Sequence, residues 1–349
     1  MEQQKRAIKR RRKKSPFKIG LIVLTFLVTF MGYGIIQYYS AYTSASNDSD
    51  NDLTALNENN DTKDKDQKET DFNGVENLEK INVLILGVDS KTGEGRTDTI
   101  MLAQYDPETG STKLASIMRD IYVTIPGYKD NKINSAYNFG GPELVRQSIK
   151  ENFGIDVQYY TVADFDGFVN LVDVLSPNGV EIDVEKRMKY TDNAGGLYID
   201  FQPGIQSLDG GELLEYARYR HDAESDFGRV RRQQQVIKAV KEELISFNGL
   251  AKLPKLLGTI QPYIDTNIDS KKILALGTSF LMNPKDIDTI RIPIDGTFQN
   301  KRYSHAGAVL DIDREENKQA LDDFFSSKQQ TQVASEDDIN MSKVTADVS

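Results

Sequence analysis

The sequence predicts a mixed α/β domain, a layered sheet with helices on its faces, preceded by one transmembrane helix. Three observations carry that reading. Ile81–Val88 is an unbroken apolar run of strand length, the mark of a strand buried on both faces. Strand-like and helix-like segments then alternate down to residue 325, the order of a layered α/β domain. No charged residue occurs from Ile19 to Asn47, and a dense Lys/Arg cluster precedes that stretch.

The chain divides by composition. Residues 1–18 hold nine Lys/Arg and one Glu; a tail of net +8 on a chain of net −10 leaves −18 on the remainder. Residues 19–39 read as the membrane span. The 18 residues of 19–36 are almost continuously apolar and would cover about 27 Å as a helix. Lys/Arg on the N-terminal side keep that end in the cytoplasm and export the rest. A cleaved signal peptide is the competing reading, with small residues at 41–45 for a peptidase, but this apolar segment exceeds the usual signal-peptide core. A basic tail beside a span is explained by topology, so no nucleic-acid partner is assigned. Residues 40–76 read as a disordered acidic extracellular stalk: 48–71 carry nine Asp/Glu and only Leu53, Ala55 and Leu56 as apolar residues. Residues 327–349 read as a disordered tail, which leaves 77–326 as the structured body.

Within the body, Thr97–Tyr105, 113–117 and 121–125 follow the first strand, with Asp106-Pro107-Glu108-Thr109-Gly110 as a turn. Residues 142–153 read as helix, 158–162 as strand, Phe165–Leu175 as helix and 179–184 as strand. Helices are predicted at 211–219, 227–247, 251–260 and 271–282, a strand at 289–294 and a closing helix at 313–325. Ile81–Val88 and Phe165–Leu175 read mainly as core, with the lining of an apolar pocket as the alternative.

Composition narrows the chemistry. The chain has no Cys and two His, His221 and His305. Thiol nucleophiles, Cys-based metal sites and multi-His sites are excluded, and neither His is assigned a role. Four groups remain. Asp89 and Asp98 flank one loop after the first strand, with Arg96 beside them; two carboxylates suit Mg²⁺ or Mn²⁺, or are simply turn residues. Arg119-Asp120 follows the strand 113–117 and is either a functional pair or an ordinary ion pair. Arg218, Arg220, Arg229, Arg231 and Arg232 fall within fifteen residues. Helical spacing puts Arg229, Arg232 and Gln233 on one face, and Ser225 or Asp226 is placed to cap that helix. Arginines in a first helical turn oppose the helix dipole unless an anion sits there too, and guanidinium forks suit phosphate; the alternative is a solvated helix face paired with Asp222, Glu224 and Asp226. Lys132-Ile133-Asn134-Ser135-Ala136-Tyr137, then Gly140-Gly141, form a loop able to hydrogen-bond phosphate or sugar, or merely to start a helix.

In order and spacing these pieces resemble the LytR-CpsA-Psr family of Gram-positive cell-envelope proteins. The residues that carry the resemblance are Gly87-Val88-Asp89, Arg96-Thr97-Asp98-Thr99-Ile100, Ser116-Ile117-Met118-Arg119-Asp120, Lys132-Ile133-Asn134-Ser135-Ala136-Tyr137, Arg218-Tyr219-Arg220 and Asp226-Phe227-Gly228-Arg229-Val230-Arg231-Arg232-Gln233. Met118 stands where the family often has Pro, and Lys91 near a common Arg. The resemblance implies an α/β/α domain with a long apolar pocket, outside the membrane on a single N-terminal anchor. It implies transfer of a glycopolymer, wall teichoic acid or capsular polysaccharide, from an undecaprenyl-pyrophosphate carrier to peptidoglycan through a phosphodiester. By resemblance Asp89 and Asp98 hold Mg²⁺, and Arg119, Arg218, Arg220 and Arg229 grip the pyrophosphate. Arg96, Asp120, Arg232 and Gln233 match less closely. Asp89, Asp98 and Asp120 stay open as the base. Hydrolysis of the carrier, a regulatory role and a non-catalytic wall-binding role are the competing functions. Dimerisation stays open.

Overall fold

The computed structural model describes residues 36–46, 72–76, 79–88, 97–192, 197–246 and 249–327. The sequence-predicted span lies outside them up to residue 35, as do Asp89, Lys91 and Arg96. No helix among the described residues is long and apolar enough to cross a membrane.

The domain is built on a six-stranded mixed sheet. Its strands are β1 (Ile81–Val88), β2 (Thr97–Tyr105), β3 (Thr112–Ile117), β6 (Tyr159–Asp164), β11 (Ile264–Thr266) and β12 (Ile287–Ile292), in the order β11-β6-β1-β2-β3-β12. β6 and β12 run parallel to β1 and β3; β2 and β11 run antiparallel to their neighbours. One face carries the main core: Leu84, Leu86 and Val88 of β1 pack with Ile100 and Leu102 of β2, with α2 (Ser135–Phe153) and with α8 (Arg314–Ser326). The other face is turned toward α3 (Phe165–Leu175), α4 (Gly210–Arg218), α5 (Ser225–Ile245), α6 (Gly249–Ile260) and α7 (Ser270–Met282). Helices therefore cover both faces, as the family resemblance implies.

The alternation in β1 refines the sequence reading. Leu84, Leu86 and Val88 are buried, whereas Val83, Ile85 and Gly87 between them are only half-buried. The run is apolar on both faces because one face meets the core and the other lines a cavity. A second, smaller core lies beyond that cavity. It joins β7 (Val180–Val184), β8 (Met188–Asp192), β9 (Leu197–Phe201) and β10 (Gly204–Leu208) to α3, α4 and α5 through Val172, Ile182, Met188, Phe201, Tyr216 and Val236.

Several elements depart from the sequence reading. α2 starts at Ser135, ahead of the predicted 142, because two helical pieces meet at a kink at Gly140 and Gly141. Gly141 takes φ +63°, a left-handed geometry that glycine enters without steric cost. The strand predicted at 121–125 shrinks to β4 (Tyr122–Val123), paired with β5 (Asn131–Lys132). The hairpins β8–β9 and β13–β14 (Phe298–Tyr303 and Gly307–Ile312) were absent from that reading.

The stalk boundary at residue 40 also shifts. Residues 36–46, here α1, are helical and dock on the domain. Ala41 and Ala45 are buried, and the Tyr263 hydroxyl donates to the Ala45 carbonyl at 3.2 Å. A Cβ on Gly258 of α6 would stand 2.3 Å from the Tyr38 carbonyl oxygen, so the two helices meet backbone to backbone. At the other end of the acidic stretch, the Val75 N–H donates to the Val157 carbonyl at 3.0 Å.

Candidate active site

A cavity of about 740 Å³ opens between the free face of the sheet and helices α3, α4 and α5. Ile85, Met101, Ala163, Phe168, Leu214 and Val236 line its interior; Asp98, Arg119, Arg218, Arg220 and Arg229 also line it. The apolar part is left open because the side chains that could fill it belong to two separate cores, one on each side.

Asp98 reaches the cavity through a β-bulge. In the β1–β2 ladder Gly87 pairs with Thr99 and Val88 with Thr97, so Asp98 is the extra residue. Strict alternation would put Asp98 on the same face as the buried Ile100. The bulge turns it instead, so that consecutive residues Asp98 and Thr99 both line the cavity. The Thr97 hydroxyl holds the irregularity, lying 3.0 Å from the Gly87 carbonyl and 2.8 Å from that of Thr99.

Arg119 sits on a segment fastened at three points. Met118 N–H donates to the Ile292 carbonyl at 2.9 Å, Leu310 N–H to the Asp120 carbonyl at 2.9 Å, and Asn134 N–H to the Arg119 carbonyl at 3.3 Å. The Lys132–Tyr137 loop thus braces this segment. The Arg119 guanidinium bonds the Asp98 carboxylate, comes within 3.4 Å of Asp120 and lies 3.8 Å from Asp226. Burial opposes its charge, but Asp98, Asp226 and Asp120 outweigh burial and raise its value above the ordinary one. Asp120 is not among the residues that line the cavity and takes the Lys132 ammonium at 2.6 Å. Arg119 thus links Asp98, which lines the cavity, to Asp120, which does not.

Burial pushes the Asp120 carboxyl up, but Lys132 and Arg119 prevail and hold it below the ordinary range. A carboxyl lowered in the folded state stabilises the protein above its unfolded value, and that contribution is lost as the pH falls through the folded value. Stability should therefore drop in acid below about pH 4. Asp120→Asn should flatten that drop in a series of thermal melts. An unchanged acid limb would rule Asp120 out as a contributor.

The arginines divide into two sets. Arg218, in the last turn of α4, lies 4.7 Å over the Phe165 ring, and Arg220 is exposed at the cavity. Arg229 is only 6% exposed. Its closest acidic neighbour, Asp226, stands at 3.4 Å without hydrogen-bond geometry, so Arg229 Nε and Asp226 Oδ1 both lack a hydrogen-bond partner among the described residues. Burial and then repulsion from Arg119 lower the Arg229 guanidinium, with Asp226 and Asp98 offsetting this only partly. Arg232 Nε is orphaned too, but Arg229 alone of the two lines the cavity and has no carboxylate in hydrogen-bond geometry among the described residues, which prepares it for an incoming anion.

Arg232 does not join this set. Arg229 and Gln233 face the cavity, Gln233 donating to the Thr99 hydroxyl at 3.1 Å. Arg232 is one residue, about 100°, around the helix from Gln233. It is fully buried, donates to Asp222 at 2.8 Å and to the Tyr219 carbonyl, and lies 5.1 Å over the Tyr219 ring. The sequence offered Asp222 only as an ion-pair partner of a solvated arginine face; the pair forms, but buried, with Arg232. The Asp222 Oδ1 takes the N–H groups of Glu224 (3.1 Å) and Ser225 (2.9 Å), so Asp222, rather than Ser225 or Asp226, closes the start of α5. Asp226 was also missed as a site residue, although it stands in the motif that holds Arg229.

Among the described residues no group of three acidic or His side chains is placed to hold a metal. The donor chemistry nonetheless fits a hard divalent cation: the Asp98 carboxylate lines the cavity, and phosphate oxygens would complete an all-oxygen set.

Fold and site define a layered α/β domain with an apolar cavity and clustered arginines along its wall. The chain belongs to the LytR_cpsA_psr family, whose model matches residues 43–321. Regulatory protein MsrR of Staphylococcus aureus (strain COL) is 46% identical over 264 residues, 75% of this chain and 79% of that protein. The polyisoprenyl-teichoic acid–peptidoglycan teichoic acid transferase TagU of Oceanobacillus iheyensis is 32% identical over 313 residues, 87% of this chain and 93% of its own. The structure of TagT bound to LI-WTA superposes with a TM-score of 0.55 at 25% identity, covering 70% of this chain and 88% of TagT.

Proposed function

We infer that this chain is a phosphotransferase of the cell envelope. It moves a glycopolymer of the wall teichoic acid class from a polyprenyl-pyrophosphate carrier to a peptidoglycan hydroxyl. The observation that carries this reading is the pairing of an apolar cavity of about 740 Å³ with arginines on its wall, among them the buried Arg229, whose charge Asp226 and Asp98 offset only partly. A prenyl pyrophosphate has the matching halves. The TagU and TagT relatives support the same donor class.

The prenyl chain lies against Ile85, Met101, Phe168 and Val236, and the pyrophosphate meets Arg119, Arg218, Arg220 and Arg229. An acceptor hydroxyl attacks the phosphorus that carries the glycan. The bond to the bridging oxygen breaks, lipid monophosphate leaves, and the hydroxyl proton passes to a carboxylate beside Arg119. Such a transfer depends on charge neutralisation and alignment more than on covalent help. Mg²⁺ bound through Asp98 would neutralise phosphate oxygens. Asp89 belongs to this proposal by resemblance and lies outside the described residues. The basic tail and apolar segment support a single-pass anchor that would hold the body outside, beside a substrate that stays in the bilayer.

The test uses the full chain in lipid nanodiscs, a prenyl-pyrophosphate glycan and a peptidoglycan oligomer. Mass spectrometry should find glycan-phosphate on the oligomer, and EDTA should abolish it. Prenyl phosphate released without an adduct would replace this reading with hydrolysis. The MsrR relative favours a second reading, regulation; it would prevail if neither product formed. Ala163→Phe, which narrows the cavity, should raise KM for a long-chain donor more than for a short-chain one. Equal effects on both donors would remove the lipid tail from the cavity.

A further inference from the structure

Arg119 links the donor cavity to Asp120, and beside Asp120 lies an aromatic platform. Tyr122 of β4 pairs directly with Lys132 of β5 in antiparallel register. Directly opposite residues share a sheet face. Lys132 in turn holds Asp120 at 2.6 Å, so Tyr122, Lys132 and Asp120 are neighbours. The Tyr122 ring stacks on Tyr303 from the β13–β14 hairpin, centroids 4.5 Å apart at 26°. His305 extends the group, 6.0 Å from Tyr303 and 6.1 Å from Tyr122. Its Nε2 lies 3.0 Å from the Asp130 carbonyl and 3.3 Å from the Tyr122 hydroxyl, which fixes the ring plane. The same hairpin supplies the Leu310 N–H that holds the Asp120 carbonyl. Platform and carboxylate are thus parts of one braced unit. None of the three rings belongs to either hydrophobic core.

We propose that Tyr122, Tyr303 and His305 bind the acceptor glycan strand, seating a sugar so that its hydroxyl approaches along the Asp120 face. The proposal rests on the transferase reading and adds the acceptor site to it. Ring faces flanked by polar groups are suited to the C–H faces of a pyranose while its hydroxyls bond outward. Lys132, Asp130 and the Tyr122 hydroxyl supply that polar surround. Placing the acceptor here puts it beside Asp120, on residues that do not line the donor cavity, so the two substrates do not compete for one opening.

The two histidines make the test direct. His221 packs at a tilt against Tyr190, which lines the donor cavity, centroids 4.1 Å apart, while His305 belongs to the platform. In the full chain with ring-labelled histidine, a short-chain prenyl-pyrophosphate probe should shift the His221 NMR signals. A GlcNAc–MurNAc oligomer should shift those of His305 and leave His221 in place. His305→Ala and Tyr303→Leu should raise KM for the oligomer about tenfold, with KM for the donor and the melting temperature unchanged. A silent His305 at saturating oligomer, or unchanged acceptor KM in both variants, would overturn the platform while wild-type transfer kept the transferase reading intact. A wild-type chain that transfers nothing overturns both.

Discussion

Arg229→Met should lower glycan transfer about 10²–10³-fold while leaving the melting temperature unchanged or higher. The two halves of that expectation share one cause. Arg229 is buried, its Nε has no partner among the described residues, and Arg119 and Arg220 repel it. In the empty site its charge is a cost, and a methionine of similar length would relieve it. In the transition state the same charge meets developing negative charge in a water-poor cavity, where one such donor is worth roughly 10²–10³ in rate. Turnover and thermal melts on one preparation decide the matter. A fall of several degrees with a parallel loss of activity would make Arg229 a structural residue instead.

Arg232→Met should do the opposite and unfold the protein at a lower temperature. Arg232 is fully buried and bonds Asp222 and the Tyr219 carbonyl. Its removal leaves Asp222 with Lys186 at 3.3 Å as the remaining cation and one carbonyl without its donor. Breaking a buried pair on one side costs about 3–5 kcal/mol, on the order of 10 °C for a domain of this size. Arg232→Lys should recover little, since an ammonium lacks the fork that spans both acceptors. Near-native melting with lost transfer would return Arg232 to the phosphate-binding set.

These two arginines mark how far the sequence could be read. Both stand in one motif, three residues apart, and spacing alone assigns them to a shared helical face. Which side of that face meets the ligand depends on where the neighbouring sheet lies. Only Asp222, ten residues before Arg232, shows that one of the pair is engaged elsewhere. β1 and β2 were legible to the residue because their apolar content leaves no competing structure. The hairpins β8–β9 and β13–β14 were not, since segments such as Phe298–Tyr303 are mostly exposed and rich in polar side chains. The orientation of Asp98 was hidden as well, because a bulge of one residue decides it and leaves no compositional trace. The cavity follows from the pairing of two cores, which no single segment reveals.

The docking of α1 changes what the acidic stretch after it can do. Tyr38, Ala41 and Ala45 of that helix rest on α6 and its neighbours, and Val75 is bonded to Val157 of the same body. Both flanks of the stretch contact the same domain, so its contour length does not translate into reach. On the membrane-anchored reading, the standoff of the active site from the bilayer is set by the helix, as by a mast rather than a rope. Deleting or doubling the acidic residues would then leave the catalytic height unaltered, whereas a side chain at Gly258 would force α1 away from α6.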